Sequence, residues 1–359
     1  MYKRLSSLTK HTAHLTTIIF LAGFLFDAFL LPDIEDPIAR YVGFGYLFLI
    51  GLLIMFREWV VSRNTASEFE QKVYSFATFG ISYFSGSALS FVFIFAIRSA
   101  QLSVSWPLFL ILLLCIFANE FVSTHDFRFA LDIGVLLTAL LFFVIFNAPL
   151  WLKVQNDTTF ALAVGITVLI SVTYIYLLKF SSENALFQAP RGYALAVGIP
   201  MFVAMLYFLN VMPAVPLSLK DAGVYHNVIR NGEGDFIAQK ERDDRKWAKY
   251  RTPIYHLMPV DDGVFFFSAV NAPAELTAPI SYVWEYYDNE KKKWFTSGVP
   301  ISFTLEGGRE DGYRAYSQKQ NITEGLWRVT VKVGNKRVIG RVKFLVTREG
   351  VPEVNEVKL

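Results

Sequence analysis

The sequence predicts a bundle of about seven transmembrane helices followed by an all-β, immunoglobulin-like sandwich. Three observations predict it. Of the 359 residues, 53% are hydrophobic and only 18% are charged, against about 25% charged in soluble domains. The charge is also segregated. Residues 1–216 hold 12 Lys/Arg and 12 Asp/Glu, which leaves 22 and 19 for residues 217–359. Finally, the apolar pattern changes along the chain, from long unbroken runs to period-two alternation after Gly263. The domains read as 1–216 transmembrane, 217–262 linker and juxtamembrane segment, and 263–359 β-sandwich.

A membrane helix needs about 20 mostly apolar residues. Seven runs are candidates: Leu15–Leu31, Ile38–Phe56, Tyr74–Ile97, Trp106–Phe121, Phe129–Leu150, Phe160–Leu178 and Tyr193–Pro213. The fourth is the shortest. Polar links such as "PDIEDP" and "SRNTASEFEQK" separate them. Asp27 interrupts the first run and no small-residue cleavage site follows, so it reads as a retained helix and not a signal peptide. Orientation follows from basic residues in short loops. With the N-terminus inside, Lys3, Arg4, Lys10, Arg57, Arg63, Lys72, Arg128, Lys179 and Arg191 lie on the inner side, and only Arg40, Arg98 and Lys153 on the outer side. Seven spans then carry the C-terminal domain across the bilayer.

Polar residues inside spans are functional candidates because they are costly there. Asp27, Asn147 and Asn210 lie near outer span ends, and Arg98 sits at another, so an Asp27–Arg98 ion pair is geometrically allowed. On the inner side Asn119, Glu120, Arg128 and Asp132 gather around one short loop. Two readings stand: a polar path or pocket, or interface residues that snorkel and bridge helices. A Gly/Pro break at Ala196–Phe202, "AVGIPMF", has no counterpart in an earlier span of the kind transporters show.

Pro213 and Pro216 end the last helix. The polar stretch that follows reads as the least ordered part of the chain, with "AQKERDDRKWAKY" as a surface helix. Strands come next: "GVFFFSAV", then a hairpin of "ISYVWEYYD" and "KWFTSGVPISFTL", then a hairpin of "LWRVTVKV" and "RVIGRVKFLV" across "GNK". In the last pair Trp327, Val329, Val331 and Val333 point one way, with Val338, Gly340, Val342, Phe344 and Val346 opposite them. Arg328, Thr330, Lys332, Arg341 and Lys343 point the other way. Positive φ is expected at Gly307, Gly308, Gly312 and Gly325.

The segments "PAVPLSLKDAGVYH", "FFFSAVNAPAELTAPISYVWEYYD" and "LEGGREDGYRAYSQKQNITEGLWRVTVKVGNKRVIGRVKFLV" resemble the DUF2914 family of bacterial proteins. The resemblance rests on Ala272-Pro273, Trp284, Gly307-Gly308-Arg309, Gly312-Tyr313-Arg314, Tyr316-Ser317, Gly325, Trp327-Arg328-Val329 and Gly340-Arg341 with Phe344. The "SAVNAP" stretch departs from the bulkier residue the family favours before Ala-Pro. The resemblance covers about the last 140 residues. It implies a C-terminal β-domain after a hydrophobic region in a bacterial protein; with the orientation read from the basic residues, the expected place is a bacterial inner membrane, with the N-terminus cytoplasmic and the β-domain periplasmic. It implies no chemistry.

The residues themselves argue for binding over catalysis. All five histidines precede residue 257, which removes the commonest acid/base group from the expected sandwich. The one cysteine, Cys115, lies in an apolar run and excludes any disulfide within the chain. No metal site and no cofactor is read from the sequence. A net charge of +3 does not argue for nucleic acid. Arg309, Tyr313, Arg314, Tyr316, Lys319 and Arg328 form the candidate binding set, because guanidinium groups beside aromatic rings suit anionic or sugar ligands. The competing reading makes Trp284 and Trp327 core and pairs the arginines with Glu306, Glu310 and Asp311. The expectation is a membrane-anchored β-module that meets an envelope protein, a glycan or a lipid headgroup. The alternatives are a transporter or membrane-embedded enzyme with the β-domain as accessory, and an assembly subunit.

Overall fold

The computed structural model describes residues 15–27, 29, 37–62, 68–99, 125–209, 217–232, 235–242, 252–258, 263–272, 276–306, 312–334, 337–350 and 352–359. The chain divides into a helical unit and a strand unit. Among the described residues the helices are α1 (Leu15–Asp27), α2 (Pro37–Ser62), α3 (Glu68–Ser99), α4 (His125–Leu152), α5 (Asp157–Leu178) and α6 (Glu183–Phe208). All but α1 are long and apolar enough to cross a membrane. That marks the chain as a membrane protein. The expected fourth span, Trp106–Phe121, lies outside the described residues. Two helices begin with side-chain caps: Asn156 accepts from the Thr159 amide and Ser182 from the Ala185 amide, each satisfying an orphan donor.

Side-chain contacts give each helix a direction. Leu53 meets Gly80 and Tyr46 meets Phe84, so α2 and α3 are antiparallel. Leu136 meets Gly51 and Phe143 meets Gly43, so α2 and α4 are antiparallel too. Hence α3 and α4 run the same way, and Arg128–Ser82 and Phe91–Phe143 contacts agree. Small residues allow α1 to lie against α3. A Cβ on Gly86 would collide with the Phe20 carbonyl, and the Ser87 hydroxyl donates to the Gly23 carbonyl at 3.3 Å. Small residues such as glycine and serine let backbones approach this closely.

The strand unit contains β1 (Ser218–Tyr225), β2 (Asn227–Arg230), β3 (Phe236–Glu241), β4 (Ile254–His256), β5 (Val264–Asn271), β6 (Thr277–Asp288), β7 (Lys293–Thr296), β8 (Ile301–Glu306), β9 (Tyr313–Lys319), β10 (Gly325–Val333), β11 (Arg337–Thr347) and β12 (Val354–Lys358). They form three sheets. The large sheet has order β4-β11-β10-β6-β7, with β8 also on β6; the middle sheet is β1-β5-β9; the small sheet is β12-β3-β2. One core lies between the large and middle sheets, around Phe266, Tyr282, Trp284, Trp327 and Phe344. A second lies between the middle and small sheets, around Tyr225, Phe236 and Phe267. The middle sheet is therefore apolar on both faces, and "VFFFSAV" in β5 is the unbroken run such a strand requires.

Several expectations change here. The strands make three sheets, where an immunoglobulin-like sandwich has two, and β4 joins β11 in parallel. Most of the described residues of the expected linker 217–262 are strand: β1 supplies an edge of the middle sheet, β2 and β3 two strands of the small sheet, and β4 an edge of the large sheet. The expected surface helix starts inside β3, and its remainder, 243–250, lies outside the described residues. "KWFTSGVPISFTL" is two strands, β7 and β8, both paired with β6; Gly298 at φ +87° and Pro300 break it. In β11 a register shift after Val331 puts Ile339 in the core and leaves Val338 half-buried. An extra residue in a bulge reverses the facing of its neighbours. Gly312 and Gly325 take positive φ as expected, while Gly307 and Gly308 lie outside the described residues.

Replacing Gly86 with Leu should separate α1 from α3 and destabilise the bundle by about 1–3 kcal/mol, the usual cost of overpacking. A lowered thermal midpoint of the full chain in detergent checks this; an unchanged midpoint contradicts the close approach.

Candidate functional site

Two polar constellations stand out, one in each unit. In the helical unit Arg57 is fully buried, at 0% exposure, as is Glu58. The Arg57 guanidinium lies 2.5 Å from Asp132 Oδ2 and 3.6 Å from Glu58 Oε1. Arg128 completes the group, 3.5 Å from Asp132 and donating to the Ser82 hydroxyl at 2.7 Å and the Thr16 hydroxyl at 3.4 Å. Asn184 and Ser182 donate to Glu58 at 3.1 and 3.4 Å. Two cations and two anions sum to zero, which is how buried ions are tolerated. The network joins the start of α1, the end of α2, and the starts of α4 and α6, with Ser82 of α3.

Of the expected intramembrane candidates, Asp132 belongs to this network with Arg128. Asp27 accepts from the Tyr46 hydroxyl at 2.9 Å. Asn147 is buried and donates to the Phe143 carbonyl at 2.7 Å, within its own helix. Asn119, Glu120 and Asn210 lie outside the described residues, as does the side chain of Arg98. Arg57 and Glu58 were missed as a site. Their signal was present: two adjacent charges in "LLIMFREWVV" with apolar residues on both sides.

In the strand unit the expected binding set does not form one patch. Arg309 lies outside the described residues. Tyr313 packs on the core, its ring stacked on Phe303 at 5.8 Å. Arg314 lies over Phe236, donates to the Leu359 carbonyl at 3.1 Å and pairs with Asp235 at 3.7 Å. Tyr316 meets Phe236 and Phe265 and is 44% exposed. Lys319 donates to the Ser297 carbonyl at 3.1 Å. Arg328 sits on the outer face of the large sheet, where period-two alternation sends it away from Trp327 and Val329. Trp284 and Trp327 are core, each 3% exposed.

Around Arg328 the outer face is built rung by rung. Arg328 opposes Lys343 on β11 and Glu285 on β6, and Thr330 opposes Arg341. Glu285 accepts from Arg328 Nε and Nη2, each at 2.7 Å, and from the Thr330 hydroxyl at 2.6 Å. Burial raises the Glu285 carboxyl, but these bonds and the positive charge of Arg328 and Lys332 outweigh it, and the net shift is downward. Arg328 also lies 4.2 Å over the Trp294 ring, which packs on Tyr287. Burial and the neighbouring Arg328 both lower the affinity of Arg341 for its proton.

His226 and His256 were expected outside the β-domain; instead His256 ends β4, His226 lies between β1 and β2, and both reach Glu241. Glu241 Oε1 takes His226 Nε2 at 2.8 Å and the His256 amide at 2.6 Å, and Oε2 takes His256 Nδ1 at 2.7 Å. The ends of β3 and β4 and the start of β2 are thereby tied together, and His226 stacks on Tyr255 at 4.5 Å. Burial pushes the Glu241 carboxyl up, but the two imidazoles and the amide bring it below the ordinary range. Among the described residues, no three His, Cys, Asp or Glu side chains are placed to hold a metal ion.

The two units thus define a membrane helix bundle that carries a three-sheet domain with a cationic, tryptophan-bearing face. Residues 278–346, from β6 to β11, match the model of a family described as a protein of unknown function (DUF2914). The match covers the large sheet's three long strands and is shorter than the expected resemblance. No curated protein matches the chain. Among solved structures, the Pseudomonas fluorescens alkylpurine DNA glycosylase AlkC bound to DNA containing an abasic site analog aligns over 88% of this chain and 99% of its own at 11% identity. Its TM-score of 0.18 carries no argument.

Replacing Arg57 with Leu should cost about 3–5 kcal/mol, because the network would keep two buried carboxylates against the single cation Arg128. Removing Asp132 as well should recover part of the loss; thermal unfolding of the single and double variants in detergent checks both. Glu241 and Glu285 predict acid sensitivity of the strand unit. Their folded pKa values lie below the unfolded carboxylate value of about 4.3, so their stabilisation is complete above that pH and lost as pH falls through the folded values. Circular dichroism of the sheet should hold from neutral pH to about 5 and decay below, and Glu285→Gln should flatten the acid limb.

Proposed function

We propose that this chain is a seven-span inner-membrane protein with a cytoplasmic N-terminus, whose helices anchor the strand unit as an extracytoplasmic binding or interaction module. The directions of the helices carry the reading. Thr16, at the start of α1, meets the ionic network; α6 also starts there, at Ser182 and Asn184, and runs away until Tyr207 meets Asp157 at the start of α5. The chain thus enters the bundle at one end and leaves at the other. Parallel α3 and α4 support a return between them. The apolar run Trp106–Phe121 supports a crossing there, since about 20 residues of helix span the 30 Å hydrocarbon layer.

The excess of basic residues at the network end supports a cytoplasmic assignment for that end. The network's four charges, on Arg57, Arg128, Glu58 and Asp132, sum to zero, which supports an anchor over a transport path. A β-module held outside a bilayer by short connections is suited to meet an envelope protein, a glycan or a lipid headgroup.

The test is a pair of fusions after Leu359, one to alkaline phosphatase and one to a fluorescent protein that folds only in the cytoplasm. Active phosphatase with a dark fluorescent fusion is expected. The reverse result rejects the extracytoplasmic assignment.

A further inference from the structure

We propose that Asp27 holds a small monovalent cation, a proton or an alkali ion, inside the helical unit. The proposal goes beyond the anchor reading and does not depend on which side of the bilayer the strand unit faces. Asp27 lies on α1 and is 2% exposed, so protein covers its carboxyl and it does not reach out to an interface. The Tyr46 hydroxyl of α2 donates to Oδ1 at 2.9 Å. Oδ2 is buried without a hydrogen-bond partner, and among the described residues no cation pairs with the carboxyl. Tyr83 and Ser87 of α3 also face it, but the Ser87 hydroxyl donates to the Gly23 carbonyl at 3.3 Å.

The position makes a bare charge costly. Tyr46 lies within the apolar segment Ile38–Val60 and Ser87 within Lys72–Ile94. Each is about 10–12 Å from the nearer end of its segment by helix rise. The ionic network is too distant to supply a counter-ion. Thr16 touches that network at the start of α1, and Asp27 lies about 16 Å further along the helix. Arg57 and Arg128 are in any case matched there by Glu58 and Asp132. A carboxylate withdrawn from water needs a paired charge as well as hydrogen bonds. One neutral hydroxyl supplies a single bond and no charge, whereas a bound cation supplies both. An ionisable side chain at such a depth marks a functional site.

The surroundings are rich in oxygen, the donor that hard cations take. Gly23 precedes Asp27 by one turn on the same face of α1. A Cβ at Gly23 would fall 2.3 Å from the Tyr83 carbonyl oxygen and 3.1 Å from Ser87 Oγ. The bare glycine therefore lets α3 bring its oxygens against α1 beside the acid. Tyr46 Oη, Ser87 Oγ and the two carboxyl oxygens are the groups a cation would use. The same side chains hold α1 on α2 and α3, so occupancy of the site and docking of α1 are linked. Loss of the cation leaves an unmatched charge at the join of three helices.

The full chain is placed in nanodiscs, and its thermal midpoint is read at about pH 6 and about pH 9, in choline chloride or sodium chloride of equal ionic strength. Acid or sodium should raise the midpoint by several degrees, because a ligand held by the folded state stabilises it. Asp27→Asn, a neutral change of the same shape, should remove that dependence and hold the midpoint at the loaded level. Other titrating groups cancel in the comparison. Infrared difference spectra, wild type minus Asp27→Asn, separate the two sources. A protonated-carboxyl band from Asp27, at the lower pH alone or at both, assigns a proton. A carboxylate band at both, with a midpoint that rises with sodium, assigns an alkali ion. With aspartate labelled by carbon-13 at its carboxyl, the same bands are read in the wild type alone, so the test stands if the variant does not fold. A carboxylate band with a midpoint that neither acid nor sodium moves overturns the proposal. A dependence on acid or sodium as large in Asp27→Asn as in the wild type overturns it too.

Discussion

Arg57 is a guanidinium with no access to water, and the helical unit is arranged around that fact. A buried cation must have its counter-charges within a few ångströms. One, Glu58, is its own neighbour in sequence; the other, Asp132, comes from a helix 75 residues away. Bringing Asp132 to Arg57 sets the end of α2 beside the start of α4. Arg128 then recruits Thr16 from α1 and Ser82 from α3, and Glu58 recruits the cap of α6. Van der Waals contact between apolar helices is weakly specific in lipid, where the tails are as apolar as leucine. Ion pairing and hydrogen bonding are directional, and here they choose which helix ends meet.

The strand unit solves a different problem. A sheet with apolar residues on both faces needs a layer on each side. β5 is such a strand: Phe266 enters one core and Phe267 the other. The large sheet covers the first face and the small sheet the second. Inside the first core the aromatics meet edge to face, as with Phe266 and Tyr282 at 5.1 Å and Trp284 and Phe344 at 6.3 Å. That geometry suits ring quadrupoles. Their polar tips are also satisfied, Tyr282 by Ser268 at 2.7 Å and Trp284 by Ser317 at 3.2 Å. Because the large sheet turns its apolar side inward, its charged residues are left on the outside, where Glu285 accepts two hydrogen bonds from Arg328.

The elements differ in how legible they were. The apolar runs located α2 to α6, since hydropathy over 20 residues is a strong signal, and only their ends moved. The hairpin β10–β11 was legible residue by residue until Val331, because alternation is reliable wherever one face is buried. The bulge was not, since one extra residue leaves the composition unchanged. β1 to β4 were read as linker because each is short and mixes charge with apolar residues, as "FIAQKE" does. The candidate site was half legible. Arg328 was identified beside aromatic residues, but its partner was taken to be a nearby acid in sequence, whereas it is Glu285 on the neighbouring strand. Arg314 and Tyr316 were grouped with it by proximity in sequence, although they lie in a different sheet.

The sequence by itself determined which solvent each part of the chain meets, because that depends on composition summed over a segment and not on where its neighbours lie. It also determined which residues of a regular strand point outward, because backbone geometry sets that period locally. Only the tertiary structure decided which charges close on one another. Coulomb energy depends on separation in space, and residues as distant as Arg57 and Asp132, or as Glu285 and Arg328, acquire their separation only when helices and strands pack.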